Sequence, residues 1–258
     1  MNLLQPSLFL CRRELVRFLR QRSRVIGALA TPIVFWVLIG FGMGRSFTGE
    51  GEGGYLNYFF PGTVLMILLF TAIFSTISVI EDRREGFLQG VLVAPVGRTA
   101  LVLGKVLGGS ILATGQALLF VLLGWATGII HPSLLSIFPI IGVMIITSVG
   151  LTAMGLCFAW RMNSTQGFHA VMNLVFMPMW FLSGALFPLR DDTPRLFKLV
   201  MLANPLHYAL GSLRRVFGLG EVPTTGMTGA LAISAGFGLV MVLLAIRIAK
   251  SHVKADVA

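Results

Sequence analysis

Few residues in this chain are of types that could do chemistry, and they fall in short clusters. The densest is Glu81-Asp82-Arg83-Arg84-Glu85, followed by Gly86, Phe87 and Leu88. Carboxylates in a cleft could serve as general bases, but carboxylates interleaved with arginines are suited to ion pairing or docking. Asp191-Asp192, directly before Thr193-Pro194, reads as helix-start capping. Cys11 and Cys157 have neither CxxC nor metal-ligand spacing, so two free thiols are expected, with no disulfide framework and no metal site. Gly104-Lys105 resembles the end of a phosphate-binding loop. However, Val106 follows the lysine, and Thr99 stands where G-x-x-x-x-G-K-[ST] needs its first glycine. The chain is expected to have no catalytic or cofactor-binding residues and not to split ATP by that route.

The elements that must carry these clusters are apolar. Hydrophobic residues make up 56% of the chain, charged residues 12%, and mean hydropathy is +0.88. A helix crossing a ~30 Å hydrocarbon core needs roughly 20 apolar residues. Six runs meet this: Val25–Met43, Tyr58–Ile80, Val106–Ile130, Leu134–Trp160, His169–Phe187 and Thr228–Ile246. They are continuous, without the alternation of a barrel strand, which predicts helices. The fold class expected is an all-α polytopic membrane protein of six transmembrane helices. The first run is too long for a signal-peptide core and no A-x-A-like site follows it, so it is expected to be retained.

The net charge of +10 could suggest nucleic acid. Its placement beside the spans points to topology and lipid headgroups instead. With the N-terminus in the cytoplasm, fourteen of the twenty Lys and Arg lie inside. Six lie outside: Arg45, Arg190, Arg195, Lys198, Arg214 and Arg215. The outer segment 189–227 is unusually apolar for a loop and is flanked or broken by Pro188, Pro194, Pro205 and Pro223. It reads as two short re-entrant helices between spans five and six.

Before the first span, a helix is expected to start with Ser7 as its N-cap. Leu8, Cys11, Leu15, Phe18 and Leu19 share one face; Arg13, Glu14, Arg17, Arg20, Gln21 and Arg24 share the other, with Arg12 and Arg22 near the boundary. That is an interfacial amphipathic helix, serving either as a topology anchor or as a lever for a cytoplasmic partner. Between spans two and three the charged cluster is expected to end the span. Phe87, Leu88, Val91 and Leu92 then form one stripe of a short helix that Pro95 ends. Such a helix suits a groove on a soluble partner, or merely a topology-fixing loop.

Acids are absent from all six apolar runs, His169 sits near a span end, and His207 reads as a packing or capping residue. This argues against a gradient-driven carrier. Asn173, Met177 and Trp180, at i, i+4 and i+7, share a face that with Phe70 and Phe74 could line a pathway or a subunit interface. Gly104, Gly108, Gly109 and Gly115 on span three permit close helix contact, within one subunit or between two.

Three ordered motifs resemble the membrane subunits of type-2 ATP-binding-cassette (ABC-2) exporters, among them drug-resistance, nodulation-factor and polysaccharide export permeases. The first is Glu85-Gly86, Phe87-Leu88, Leu92-Val93-Ala94-Pro95-Val96-Gly97-Arg98 and Gly104-Lys105. The second is Pro178, Ser183-Gly184, Phe187 and Pro188 within Phe176–Leu189. The third is Asn204-Pro205-Leu206 with Tyr208. The resemblance implies a permease dimer, identical or mixed, with two separate ATPase subunits that hold ATP and Mg. It implies a coupling helix over Glu81–Pro95, with the N-terminal helix (Arg13, Glu14, Arg17, Arg20) alongside and a smaller contact at Trp160–Phe168. An external gate would involve Ser183, Gly184, Phe187, Pro188, Asn204 and Pro205. The organisation it implies is an interface helix (1–24), a transmembrane domain (25–250) with coupling loop 81–99 and external region 189–227, and a short tail (251–258). Location would be a bacterial cytoplasmic (inner) membrane with both termini cytoplasmic, in contact with membrane lipid and with no nucleic acid. The substrate would be amphipathic, lipid-like, glycan or drug. A secondary transporter or channel without an ATPase is the alternative, and an assembly factor on the same fold is a third reading.

Overall fold

The computed structural model describes residues 3–43, 54–88, 90, 97–131, 133–187, 193–219 and 225–255. Among them there is helix and no strand. The helices are α1 (Leu4–Arg20), α2 (Arg22–Met43), α3 (Gly54–Arg84), α4 (Arg98–Ala126), α5 (Ile137–Ala159), α6 (Thr165–Ala185), α7 (Arg195–Ala203), α8 (Pro205–Phe217) and α9 (Gly226–Ala255). Six of these, α2 to α6 and α9, are long and apolar enough to cross a membrane.

Burial ranks the six. The most apolar stretch of α3 is 89% buried, against 22% for α2 and for α9. α3 is therefore the axle of the bundle, packed by α2, α4 and α5, while α9 lies outside against α5 and α8. An aromatic knot binds four helices: the Phe60 and Phe120 rings stack at 4.9 Å, with Trp36 edge-on to Phe120 at 5.4 Å and Phe217 edge-on to Phe60 at 5.5 Å. Small residues set the closest approaches. A Cβ on Gly109 would collide with Ser75 Oγ and lie 2.5 Å from Thr152 Cγ2. On Gly104 it would lie 2.7 Å from Leu10 Cβ, and on Gly108 2.9 Å from Glu14 Cβ, so these two glycines admit α1. Gly115 has open space around it.

Several sequence expectations need correction. The charged cluster itself is largely helical: α3 continues through it to Arg84, where the span's helix ends, and the chain turns at Gly86, with φ +75°. Span three likewise starts as a helix at Arg98, which places Lys105 inside it. Ser7 is not an N-cap: the cap position is Leu3, and the Ser7 hydroxyl donates to Leu3 O (2.7 Å) and Ala100 O (3.1 Å). Asn173 and Trp180 do not share a face, Asn173 being exposed and Trp180 fully buried. The reason is two π-helical turns in α6, Met172–Phe176 and Phe181–Ala185, whose wider winding rotates the register that a 100° step assumes. Trp180 instead shares the buried side with Met172 and Phe176 and donates its indole N–H to Gly62 O at 2.9 Å. Two short helices, α7 and α8, occupy the segment between spans five and six.

A Cβ on Gly62 would meet Ala185 Cβ at 2.9 Å and Ala185 Cα at 3.2 Å, backbone and near-backbone atoms that cannot swing aside. Gly62→Val is expected to cost about 1–3 kcal/mol through overpacking, and Gly115→Ala to cost nothing. Thermal denaturation of the purified variants in detergent checks this; equal midpoints would show that α3 and α6 are not this close.

Candidate functional site

At one end of the bundle, the end that carries both termini of the described chain, charged groups meet in the interior. Gly104 and Gly108 let α1 lie directly on α4, and that contact brings Glu14 to Lys105. Lys105 is 3% exposed, and its ammonium donates to Glu14 Oε1 (2.9 Å), Asp82 Oδ2 (2.7 Å) and Ser78 Oγ (3.0 Å). All three of its donors are used. Asp82, fully buried, also accepts from Arg13 Nη2 at 2.7 Å and from Arg17. Arg17 reaches Glu81 at 3.0 Å and Glu85 at 3.2 Å, and Arg24 pairs with Glu81. Four acids thus face four cations, and these four are all the Asp and Glu among the described residues. An unpaired buried charge costs several kcal/mol; here each one has an opposite partner and hydrogen bonds.

Titration behaviour follows from the geometry. Burial works against the Arg13 charge, but hydrogen bonding and attraction from Asp82, with Glu14 and Glu85, hold its guanidinium above its usual value. Burial, aided by Glu14, pushes the Cys11 thiol up, so it is an unreactive thiol.

The same last turn of α3 points its other side chains elsewhere. Arg83 donates to Trp160 O (2.6 Å), Met162 O (3.2 Å) and Asn163 Oδ1 (3.0 Å), and Arg84 donates to Asn163 O (3.1 Å). Those acceptors form the α5–α6 turn, where Ser164 caps α6 by accepting from Gly167 N. On the far side of the loop, Arg98 donates to Lys250 O (2.9 Å) near the end of α9. Both flanks of the 81–98 segment are therefore tied to other helices.

The structure brings Arg13, Glu14, Arg17, Glu81, Asp82 and Glu85 into one cluster and leaves Arg20 exposed and apart. Arg13, Glu14 and Arg17 do not form a solvated face, because they turn inward to the carboxylates of α3 and to Lys105. Leu88 is 5% exposed, packed into the chain's own core, and Phe87 is half-buried beneath the Arg13 guanidinium (3.6 Å from the ring centre). Leu92 and Pro95 lie outside the described residues. Sequence alone does not place Lys105 and Ser78 here: Lys105 reads as an inside charge, as the end of an incomplete phosphate-binding loop and as part of the first motif, not as a partner of Glu14. Its signal was a lone cation amid LVLGKVLGG, inside a helix once Arg98 starts it.

The opposite end is held by carbonyls. Gly184, at φ +93°, breaks the helix and frees the last carbonyls of α6. His207 Nδ1 holds Ser183 O (3.0 Å), Tyr58 Oη and Arg214 Nη2 hold Gly184 O (2.9 and 2.8 Å), and Tyr55 Oη holds Leu186 O (2.9 Å). Arg214 also lies 4.4 Å above the Tyr58 ring. Burial, with a smaller push from Arg214, moves the His207 pKa down, so the ring is neutral and Nδ1–H is the donor to Ser183 O. Asn204 donates to Met179 O (2.6 Å) and accepts from Leu206 N (3.0 Å), capping α8, where Pro205 takes the first turn. Ser183, Gly184, Asn204 and Pro205 thus converge, Phe187 projects outward, and Pro188 lies outside the described residues. Between the two ends, only Phe70 and Phe74 escape full burial from Phe59 to Ile80. Their rings stack at 5.7 Å, and Phe74 lies 6.0 Å from His169, one turn before exposed Asn173, while Met177 is half-buried.

A family model described as ABC-2 type transporter matches residues 7–217, from the α1 contact with α4 to the last residue of α8. The chain is similar to a putative transport permease, ycf38, of Cyanophora paradoxa (25% identity, covering 83% of this chain and 74% of the relative). It is similar to nodulation protein J of Rhizobium leguminosarum bv. viciae (26%, 74% of each). It is also similar to a probable doxorubicin resistance ABC transporter permease protein, DrrC, of Mycobacterium tuberculosis H37Rv (25%, 88% and 82%).

Lys105→Met leaves Glu14 and Asp82 each short of a buried partner, at an expected cost of about 3 kcal/mol. Adding Glu14→Gln should recover about 1 kcal/mol of that, because the two sites share one contact. Thermal denaturation of both single variants and the double variant tests the coupling; strictly additive losses would dissolve it.

Proposed function

Because this chain belongs to the ABC-2 type transporter family, we propose that it works as one half of a permease dimer, driven from the 81–99 loop by a separate ATPase subunit. The chain is an integral multi-pass membrane protein and a transport permease subunit of an ABC transporter, a class that associates with ABC ATPase partners. ATP and Mg belong to that partner. Both termini lie in the cytoplasm of a bacterial cell and the spans cross its cytoplasmic (inner) membrane, a reading supported by the fourteen-to-six bias of basic residues.

The observation that carries the mechanism is that both flanks of the loop are anchored. A push on 81–98 reaches α1 through Asp82 and Glu81, the α5–α6 turn through Arg83 and Arg84, and α9 through Arg98. Packed helices transmit such a displacement instead of absorbing it. The substrate passes between the two permease subunits past Phe70, Phe74, Asn173 and Met177, a strip suited to an amphipathic, lipid-like, glycan or drug molecule with an apolar body. Ser183, Gly184, Phe187, Pro188, Asn204 and Pro205 form its external gate. Trp180, bonded inward to Gly62, positions the helix and does not line the path. A gradient-driven carrier finds no support in the four described acids, which are all in ion pairs at one end.

Affinity purification of the tagged chain from its native membrane in mild detergent tests this reading. Wild type is expected to bring down a soluble ATPase in stoichiometric amount, and Glu85→Arg or Leu92→Asp to lose it. An ATPase retained by both variants would move the docking site elsewhere; none with wild type would overturn the reading.

A further inference from the structure

The ion network leaves a remainder. It consumes all four described carboxylates on Arg13, Arg17, Arg24 and Lys105. The side chains of Arg12, Arg20 and Arg22 are exposed and make no ion pair or hydrogen bond with another described residue. At 100° per residue, Leu8, Leu19, Arg12, Val16, Phe9 and Arg20 follow one another across roughly a third of the circumference of α1. The apolar members are well exposed: Leu8 53%, Phe9 72%, Val16 43% and Leu19 61%. The opposite arc, with Ser7, Leu10, Cys11, Glu14 and Phe18, is buried against the protein. Its free arc is therefore neither a solvated face nor a purely acyl-facing one, but apolar residues interleaved with arginines that have no internal counter-charge. Arg161, Arg247 and Lys250, also exposed, add positive charge at the same end of the bundle.

We propose that this arc of α1 is a binding surface for anionic phospholipid of the cytoplasmic leaflet. Leu8, Phe9, Val16 and Leu19 enter the acyl boundary, Arg12 and Arg20 take headgroup phosphates, and Arg22, the first residue of α2, adds a third guanidinium just past the end of the arc. Charge complementarity selects the occupant: the planar guanidinium fork matches phosphate, and the interleaved apolar residues need a partner with both an anion and a hydrocarbon. A zwitterionic headgroup also carries a phosphate, but its own ammonium compensates the charge, so attraction to the arginines is weaker. α1 is then held from both sides, by ion pairs towards the protein and by phosphates towards the leaflet. The inference rests on the cytoplasmic placement of α1 proposed above.

Each basic residue near an anionic surface is worth roughly fivefold in partitioning, so three give on the order of a hundredfold, and salt weakens the effect. The test uses the complete chain with its co-purifying subunits, exchanged into mixed micelles of phosphatidylglycerol and phosphatidylcholine, with retained lipid measured by native mass spectrometry. Wild type is expected to retain phosphatidylglycerol in preference to phosphatidylcholine, and the triple variant Arg12→Gln/Arg20→Gln/Arg22→Gln to lose most of that preference. The charge-preserving triple Arg→Lys variant keeps most of it, because the charge remains while the fork is lost. Equal retention by wild type and the Gln variant overturns the proposal. So does a Gln variant that keeps its lipid but loses the ATPase subunit, because the arc would then be a protein-docking face. Failure of the exporter reading is separate: it shows as absence of an ATPase from wild type while the lipid preference stands.

Discussion

A lysine inside a helix bundle is stable only if its surroundings supply anions, and Lys105 sets that requirement for the whole of one end of this protein. Glu14 can reach it only if α1 lies on α4, which in turn requires glycine at 104 and 108. Asp82 can reach it only if α3 continues as a helix beyond its apolar stretch. Asp82 then collects Arg13 and Arg17, and the turn that carries it presents Arg83 and Arg84 to the next connection. Removing the lysine would leave the acids with a surplus of negative charge in a site sealed from water.

The two ends of the bundle are fastened by different physics. At the first end formal charges cancel across four segments of chain, and the strength of each bond comes from ionised partners. At the second, Gly184 unwinds α6 and the bonds run from two tyrosines, an arginine and a neutral histidine to main-chain carbonyls. Of these four side chains only Arg214 carries charge. The first fastening holds helices as rigid bodies, while the second holds the frayed end of one helix and depends on that helix remaining frayed.

Sequence patterns revealed the spans because lipid forces long continuous apolar runs, and α2 to α6 with α9 correspond to the six runs. The same logic misread α1. Periodicity assigns polar residues to water, but Glu14 and Arg13 turn inward because a partner 91 residues away in the chain is waiting for Glu14. Nothing local to α1 announces Lys105. The α6 error has another source: Asn173 and Trp180 align only on a regular helix, and the two π-helical turns belong to backbone winding, not to side-chain pattern. At the external end, the convergence of Ser183-Gly184 with Asn204-Pro205 was legible only as motifs, and Tyr55, Tyr58 and Arg214, which do much of the holding, carried no signal because aromatic and basic residues beside a span are ordinary.

The distance along the chain between Glu14 and Lys105 is also an interval of time. At ribosomal rates of about 5–20 residues per second, the 91 residues between them take roughly 5 to 20 s to synthesise. Throughout that interval the first helix is made but Glu14 has no ammonium to meet, whereas Arg13 and Arg17 find their carboxylates on α3 about 20 residues earlier. The arrival of α4 ends the wait. Synthesis therefore runs in a fixed order, with the N-terminal segment only partly paired once α2 and α3 are made and fully secured when Lys105, its latest partner, leaves the ribosome.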